Sequence, residues 1–155
     1  VEVPLGLSVR ELITWYGGGF DGEPQAVLIG GAAGGFLHPD DLDTLLTHEN
    51  LRPFGVPVGS GAVMVFNQSV DLWEVLENLA HFFVHETCGL CSPCRLGTRQ
   101  IYHILQKINQ GFGMPADLKK LEELGEAVTK TCRCGLGMTA ANPALTVLHN
   151  IRTVA

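Results

Sequence analysis

The stretch HETCGLCSPCRLGT, residues 85–98, decides how the rest of this 155-residue chain is read. It sets Cys88, Cys91 and Cys94 in a C-x-x-C-x-x-C run, and TKTCRCGLG at 129–137 adds Cys132 and Cys134. All five cysteines of the chain lie in these two stretches, a distribution of metal ligands rather than of disulfides. A C-x-x-C loop folds back on itself, so closely spaced thiolates can converge on one centre while a distant cysteine closes the set. A 4Fe–4S cluster takes four Cys ligands, and C-x-x-C-x-x-C is a local signature of it. Zinc is the rival, because zinc sites built of four cysteines also use C-x-x-C pairs, although these usually split two and two. A third cysteine in one run suits a cube with a thiolate on each iron better than a single tetrahedral ion. Unliganded or redox-active thiols are the remaining reading. Disulfides fit poorly, since the count is odd and no secretory leader is visible.

Outward from the cysteines the chain reads as helical on both sides. Ser69 can cap a helix with Leu72, Val75, Leu76, Leu79 and Phe83 on one face, and this helix runs into the first cysteines. Ser92 and Pro93 suit the N-cap and first position of the next helix, with Ile101, Ile104, Leu105 and Ile108 on one face and a stop at Gly111. Pro115 to Val128 repeats the pattern, and Asn142-Pro143 opens a last helix with Ala144, Val147, Leu148 and Ile151. Amphipathic helices joined by short loops predict an antiparallel four-helix bundle over residues 69–155. In an up-down bundle the loops after the first and third helices lie at one end, which brings both cysteine stretches together.

Residues 1–68 read as a mixed unit. VEVPL at 1–5 alternates like a strand, and Ser8 and Glu11 form a capping box before the short helix VRELITWY, which ends at Gly17. QAVLIGG (25–31) is a buried strand with a glycine stop, HPDDLDTLLT (38–47) a short helix or turn, and GAVMVF (61–66) a second apolar strand. Strands around one helix predict a small β-grasp-like (ubiquitin-like) domain, so the fold class is α+β. Hydrophobic residues make up 46% and charged residues 17%, with a net charge of −6, so the chain is globular and has no basic stripe for nucleic acid. No apolar run approaches the length of a membrane span. The chain begins at Val1 without Met and reads as a fragment or a processed piece.

HETCGLCSPCRLGT resembles the cluster-binding motif of the NADH-binding flavoprotein subunit of respiratory complex I. The same motif recurs in the diaphorase subunits of NAD-linked hydrogenases and formate dehydrogenases. CGLGMTAANPALTVL (134–148) is similar to that family's second motif, and LIGGAAGGFL (28–37) and VGSGAVMVF (58–66) resemble glycine-rich segments of its soluble-ligand-binding β-grasp domain. The likeness runs in family order from about residue 26 to 150. It implies Cys88, Cys91, Cys94 and Cys134 as cluster ligands, Cys134 because it precedes Gly135-Leu136-Gly137, and it leaves Cys132 as a bystander two residues early. Met138 after C-R-C-G-L-G looks closer to the hydrogenase branch. The family carries FMN and NADH on an N-terminal Rossmann-like domain, which nothing here supplies. LIGGAAGGFL lacks the strand–GxGxxG–helix context and the later acidic residue, so its glycines read as tight turns beside a strand.

The resemblance therefore implies an electron-transfer module of an NADH-oxidising or NAD-reducing oxidoreductase. Its expected partners are an FMN/NADH-binding domain or chain and a further iron–sulfur subunit. The expected location is the cytoplasm, or the inner face of a membrane as part of a complex, without insertion. A structural zinc module in which the β-grasp half docks a partner, and a fragment without independent activity, are the alternatives. Arg95 and Arg133 flank ligands, where their charge would favour a reduced, more negative cluster or simply meet solvent. The six histidines, His85 nearest among them, read as surface or helix-face residues. Glu86 and Thr87 read as helix-end hydrogen-bonding residues. No Ser/His/Asp or paired-carboxylate arrangement offers a hydrolytic site.

Overall fold

The computed structural model describes residues 1–151. The last four positions of the predicted 69–155 segment lie outside the described residues. The chain forms two compact units, one of Val1–Val70 with the chain from Thr146, the other of Asp71–Leu145.

In the first unit the capping box at Ser8 forms as expected. The Glu11 N–H donates to Ser8 Oγ (3.1 Å) and the Ser8 N–H to Glu11 Oε2 (2.8 Å). It starts α1 (Val9–Glu11), which widens into a π-type turn over Leu12–Tyr16 and ends at Gly17. Ahead of it VEVPL forms no strand. Pro4 has no N–H to donate, Gly6 turns the chain at φ 96°, and the first pairing is a single bridge from Ser8 to Leu45. The sheet has β1 (Pro24–Ile29) at its centre, with β2 (Gly35–Leu37) and β3 (Val63–Asn67) antiparallel on either side. Leu28 faces Phe36 on β2 and Met64 on β3, which fixes the register.

A central strand is covered on both faces, and Ala26, Val27, Leu28 and Ile29 are accordingly all at 0% exposure. Val27 and Ile29 pack with Val9, Ile13, Leu37, Leu42, Leu51 and Val56. LIGGAAGGFL makes the connection from β1 to β2, with Gly30 at φ 97°, a backbone region that side chains with a Cβ rarely enter. The short strand β2 escapes the periodicity because it is three residues long and follows a glycine run. A four-residue helix, α2 (His48–Leu51), capped by Thr47, also carries no periodic signal.

The second unit is helical. Helix α3 (Leu72–Glu86) starts two residues later than Ser69 suggests, because the Asp71 carboxylate accepts the Trp73 N–H at 2.8 Å, while Ser69 donates to Asn67 Oδ1. It buries Leu72, Leu76, Ala80 and Phe83. Helix α4 (Ser92–Lys107) buries Ile101, Ile104 and Leu105, continues as a π-type turn to Phe112, and breaks at Gly111, φ 80°. Helix α5 (Pro115–Thr131) buries Leu121 and Val128. Burying such a side chain contributes roughly 1.5–3 kcal/mol. Helix α4 packs on both α3 and α5, and a short helix, α6 (Gly135–Thr139), packs on α5 and α4. Gly97 allows the α4–α5 approach, since a Cβ there would collide with Val128. The last helix, α7 (Asn142–Asn150), begins in this unit, and from Thr146 its residues belong to the sheet unit. There Thr146 Oγ1 accepts the Phe36 N–H (2.9 Å), and Asn150 Nδ2 donates to the carbonyls of Phe36 (2.7 Å) and Phe54 (2.9 Å).

Candidate metal centre

Two helix junctions build the site. At the first, α3 closes when the Thr87 N–H donates to the Phe83 carbonyl (3.1 Å) and the backbone turns extended. Cys88, Gly89 and Leu90 form the loop, and Cys91, not Ser92, is the N-cap of α4. Ser92 is thus the first helical residue, with Pro93 after it where a missing N–H costs no intrahelical bond. The shift places the Cys91 sulfur at the mouth of a 16-residue helix and Cys94 in its first turn, where backbone N–H groups have no intrahelical acceptor. At the second junction Cys132 is the C-cap of α5, its N–H bonded to the Val128 carbonyl (3.1 Å). Cys134 is the N-cap of α6, its carbonyl accepting from Met138 (3.1 Å).

The sulfurs of Cys91, Cys94 and Cys132 lie within 4.8 Å of one another. The two cysteine stretches therefore do meet at one end of the helical unit. Cys94 is buried, Cys91 and Cys132 are partly buried, and Cys88 and Cys134 are exposed and outside this three-sulfur group. Of the four residues expected as ligands, the structure brings Cys91 and Cys94 together, and with them Cys132, which motif register sets aside. Its approach depends on how α5 ends, which spacing alone does not reveal.

The surroundings act unequally on the three sulfurs. Thr87 Oγ1 is 3.0 Å from Cys94 Sγ and accepts the Gly89 N–H (3.3 Å), so the expected helix-end residue is also a sulfur partner. The Arg95 guanidinium donates to the Gly89 carbonyl (2.7 Å) and braces the loop between Cys88 and Cys91. The Thr98 hydroxyl donates to the Cys94 carbonyl (2.8 Å). The Arg133 backbone N–H, then that of Cys94, draws the Cys91 thiol below its ordinary pKa. Burial first, then the charges of Cys94 and Cys91, push the Cys132 thiol up to about 11. Gly137 closes the site, because a Cβ there would stand 2.6 Å from Cys132 Sγ and 3.3 Å from Cys94 Cβ. The signal for that role was the glycine in C-R-C-G-L-G; for Thr87 there was none.

The donor set fits an iron–sulfur group. Among the described residues the only group of three or more His, Cys, Asp and Glu side chains close enough to share a metal is this set of thiols, with no histidine or carboxylate among them. Two more cysteines stand in the same junctions, so five thiols are at hand for a group that takes four. His85 is exposed, its Nδ1 3.1 Å from Glu86 Oε1.

A thiolate metal centre held between helix ends defines the class of site. Residues 74–154 match the NADH-ubiquinone oxidoreductase-F iron-sulfur binding region, and the chain belongs to that family. It is 41% identical over 150 residues to the NADP-reducing hydrogenase subunit HndC of Solidesulfovibrio fructosivorans, covering 96% of this chain and 31% of that protein. It is 30% identical over 156 residues to an NADH-quinone oxidoreductase component of Rickettsia rickettsii, covering 99% of this chain and 37% of that one. The chain thus spans about a third of the length of these curated relatives. A crystal structure of an NAD+-reducing [NiFe]-hydrogenase in the H2-reduced state aligns with a TM-score of 0.85 at 32% identity, over 97% of this chain and 25% of that one. The mixed helix-and-sheet architecture is shared with it. Among the described residues no helix is long and apolar enough to cross a membrane.

Proposed function

We propose that this chain is the electron-transfer module of an NADH-oxidising or NAD-reducing oxidoreductase, holding a 4Fe–4S cluster on Cys88, Cys91, Cys94 and Cys134. When bound, such a cluster supplies one-electron transfer, here between an FMN that exchanges hydride with NADH and an acceptor on a partner subunit. The convergence of thiols from two helix junctions, within a region matching an iron–sulfur family, carries this reading. The chain's own residues hold and tune. Cys91 and Cys94 fix the group at the mouth of α4, Thr87 offers a hydroxyl to sulfur, Arg95 stiffens the loop, and Gly137 keeps the wall close.

FMN and NADH are assigned to a separate N-terminal domain or chain, and a further iron–sulfur subunit is the electron partner. Residues 1–68 are read as a β-grasp-like ligand-binding domain and 69–155 as an antiparallel four-helix cluster carrier. In the assembled complex the module lies in the cytoplasm or peripherally on a membrane's inner face. The zinc reading makes the chain a structural module without redox chemistry, and the metal it holds separates the two in one preparation. Anaerobically purified chain, made with iron supplied, is expected to hold about four irons and four labile sulfides, with a broad absorbance that bleaches on reduction. Stoichiometric zinc without sulfide would refute the proposal.

A further inference from the structure

We propose that Cys132 is a reserve ligand of this centre, able to take the position assigned to Cys134; the proposal rests on the iron–sulfur reading above. Three observations carry it. The Cys132 sulfur lies within 4.8 Å of the sulfurs of Cys91 and Cys94, whereas Cys134 is exposed and outside the group. Cys132 is also seated rather than loose. Its N–H is bound to the Val128 carbonyl (3.1 Å) at the end of α5, and Gly137 of α6 lies so close to its sulfur that a Cβ there would collide with it at 2.6 Å. Finally, one residue separates the two cysteines, so the backbone between them spans at most about 7 Å. That residue is Arg133, so the two cysteines stand on either side of a single residue where α5 ends and α6 begins.

The exchange balances without an oxidant or reductant. The iron–sulfur bond to Cys134 breaks and one to Cys132 forms, the proton leaving the Cys132 thiol is taken up by the released Cys134 thiolate, and the ligand charge is unchanged. A second thiol within reach lets the chain keep four thiolates when one is lost to oxidation or substitution.

The test compares Cys134→Ser, Cys134→Ala, Cys132→Ser and the double variant Cys132→Ser/Cys134→Ser in the full chain, loaded anaerobically. Iron, labile sulfide, the electron paramagnetic resonance of the reduced protein, and far-UV circular dichroism are read. Cys134→Ser and Cys134→Ala should each keep about four irons and sulfides with shifted g-values, and Cys132→Ser should keep the wild-type spectrum. The double variant should lose about fivefold or more of its iron and sulfide. Alkylation of loaded Cys134→Ala should leave Cys132 protected. Two substitutions at 134 guard against one that fails to fold. An empty but folded Cys134→Ala, a loaded Cys134→Ala with Cys132 freely alkylated, or an empty Cys132→Ser would each overturn the reserve role. A wild-type chain holding zinc and no sulfide would instead overturn the iron–sulfur reading itself, and this proposal with it.

Discussion

Gly137 and Gly135 sit two residues apart in the same short helix, and only one of them has a neighbour to collide with. A Cβ on Gly137 would meet Cys132 Sγ at 2.6 Å and Cys132 Cβ at 2.7 Å, while one on Gly135 would meet nothing within 4 Å. Gly137→Ala should therefore destabilise the chain by about 1–3 kcal/mol, the usual scale of overpacking, and lower its iron content. Gly135→Ala should be neutral or slightly stabilising. Chemical denaturation and iron analysis of the two variants side by side check this, and equal behaviour would remove the steric account. Thr87 makes the second prediction at this scale. With Cys94 as thiolate, the hydroxyl at 3.0 Å is the donor, and a hydrogen bond to sulfur favours the reduced, more negative cluster. Thr87→Val, nearly equal in volume, should move the midpoint potential in the negative direction in a monitored redox titration; no change would mean that the hydroxyl points elsewhere in the loaded protein.

The ends of helices are where sequence reading and structure part most often. Periodic apolar residues predicted α3, α4, α5 and α7 with their buried faces, because a face that must be covered leaves a regular mark. Caps left a weaker one. Ser69 and Asp71 are both good N-caps, and only the fold decides that Trp73 donates to Asp71. Ser92 looks a better cap than Cys91 by side chain, yet the loop turns one residue sooner. Elements too short to repeat, such as β2 and α6, left no period at all. The cysteine pattern was legible as chemistry, but which sulfurs meet depends on the end of α5, a tertiary fact.

The start of α5 shows what a tertiary cap does. Asp117 accepts the Met114 N–H (2.9 Å) and the ammonium of Lys107 on α4 (2.6 Å). Lys107, then the Met114 N–H, holds its carboxyl below the ordinary range. A carboxyl whose folded pKa is depressed adds stability that is present above its unfolded value of about 4 and fades as pH falls through the folded one. Asp117→Asn should thus lower the melting temperature near neutral pH and flatten its fall below about pH 4. Melting curves from about pH 2 to pH 7 test the sign, and parallel curves for both proteins would exclude the linkage.

At the scale of the molecule, two compact units divide the labour, and they should answer differently when the metal is removed. The sheet unit has its own hydrophobic core around Val27 and Ile29. The helical unit consists of helices that gain most of their stability from tertiary packing. Two of its junctions, about forty residues apart in sequence, bring the sulfurs of Cys91, Cys94 and Cys132 within 4.8 Å of one another. Where a metal joins elements that are otherwise marginal, its binding energy is also folding energy. Apo protein should therefore lose hydrogen-exchange protection between residues 88 and 145. It should keep protection at Ala26–Ile29 and Val63–Phe66, strands paired with each other in the sheet unit. The end of α7 sets the sharpest expectation. Because Thr146 and Asn150 bond to Phe36 and Phe54, protection should resume near residue 146 although the helix began in the metal-dependent unit. Hydrogen exchange on loaded and metal-free chain reads both boundaries at once. Equal protection of residues 88–145 in the two forms would show that the helices stand without the metal, and a loss extending through residue 151 would show that α7 follows the helical unit rather than the sheet.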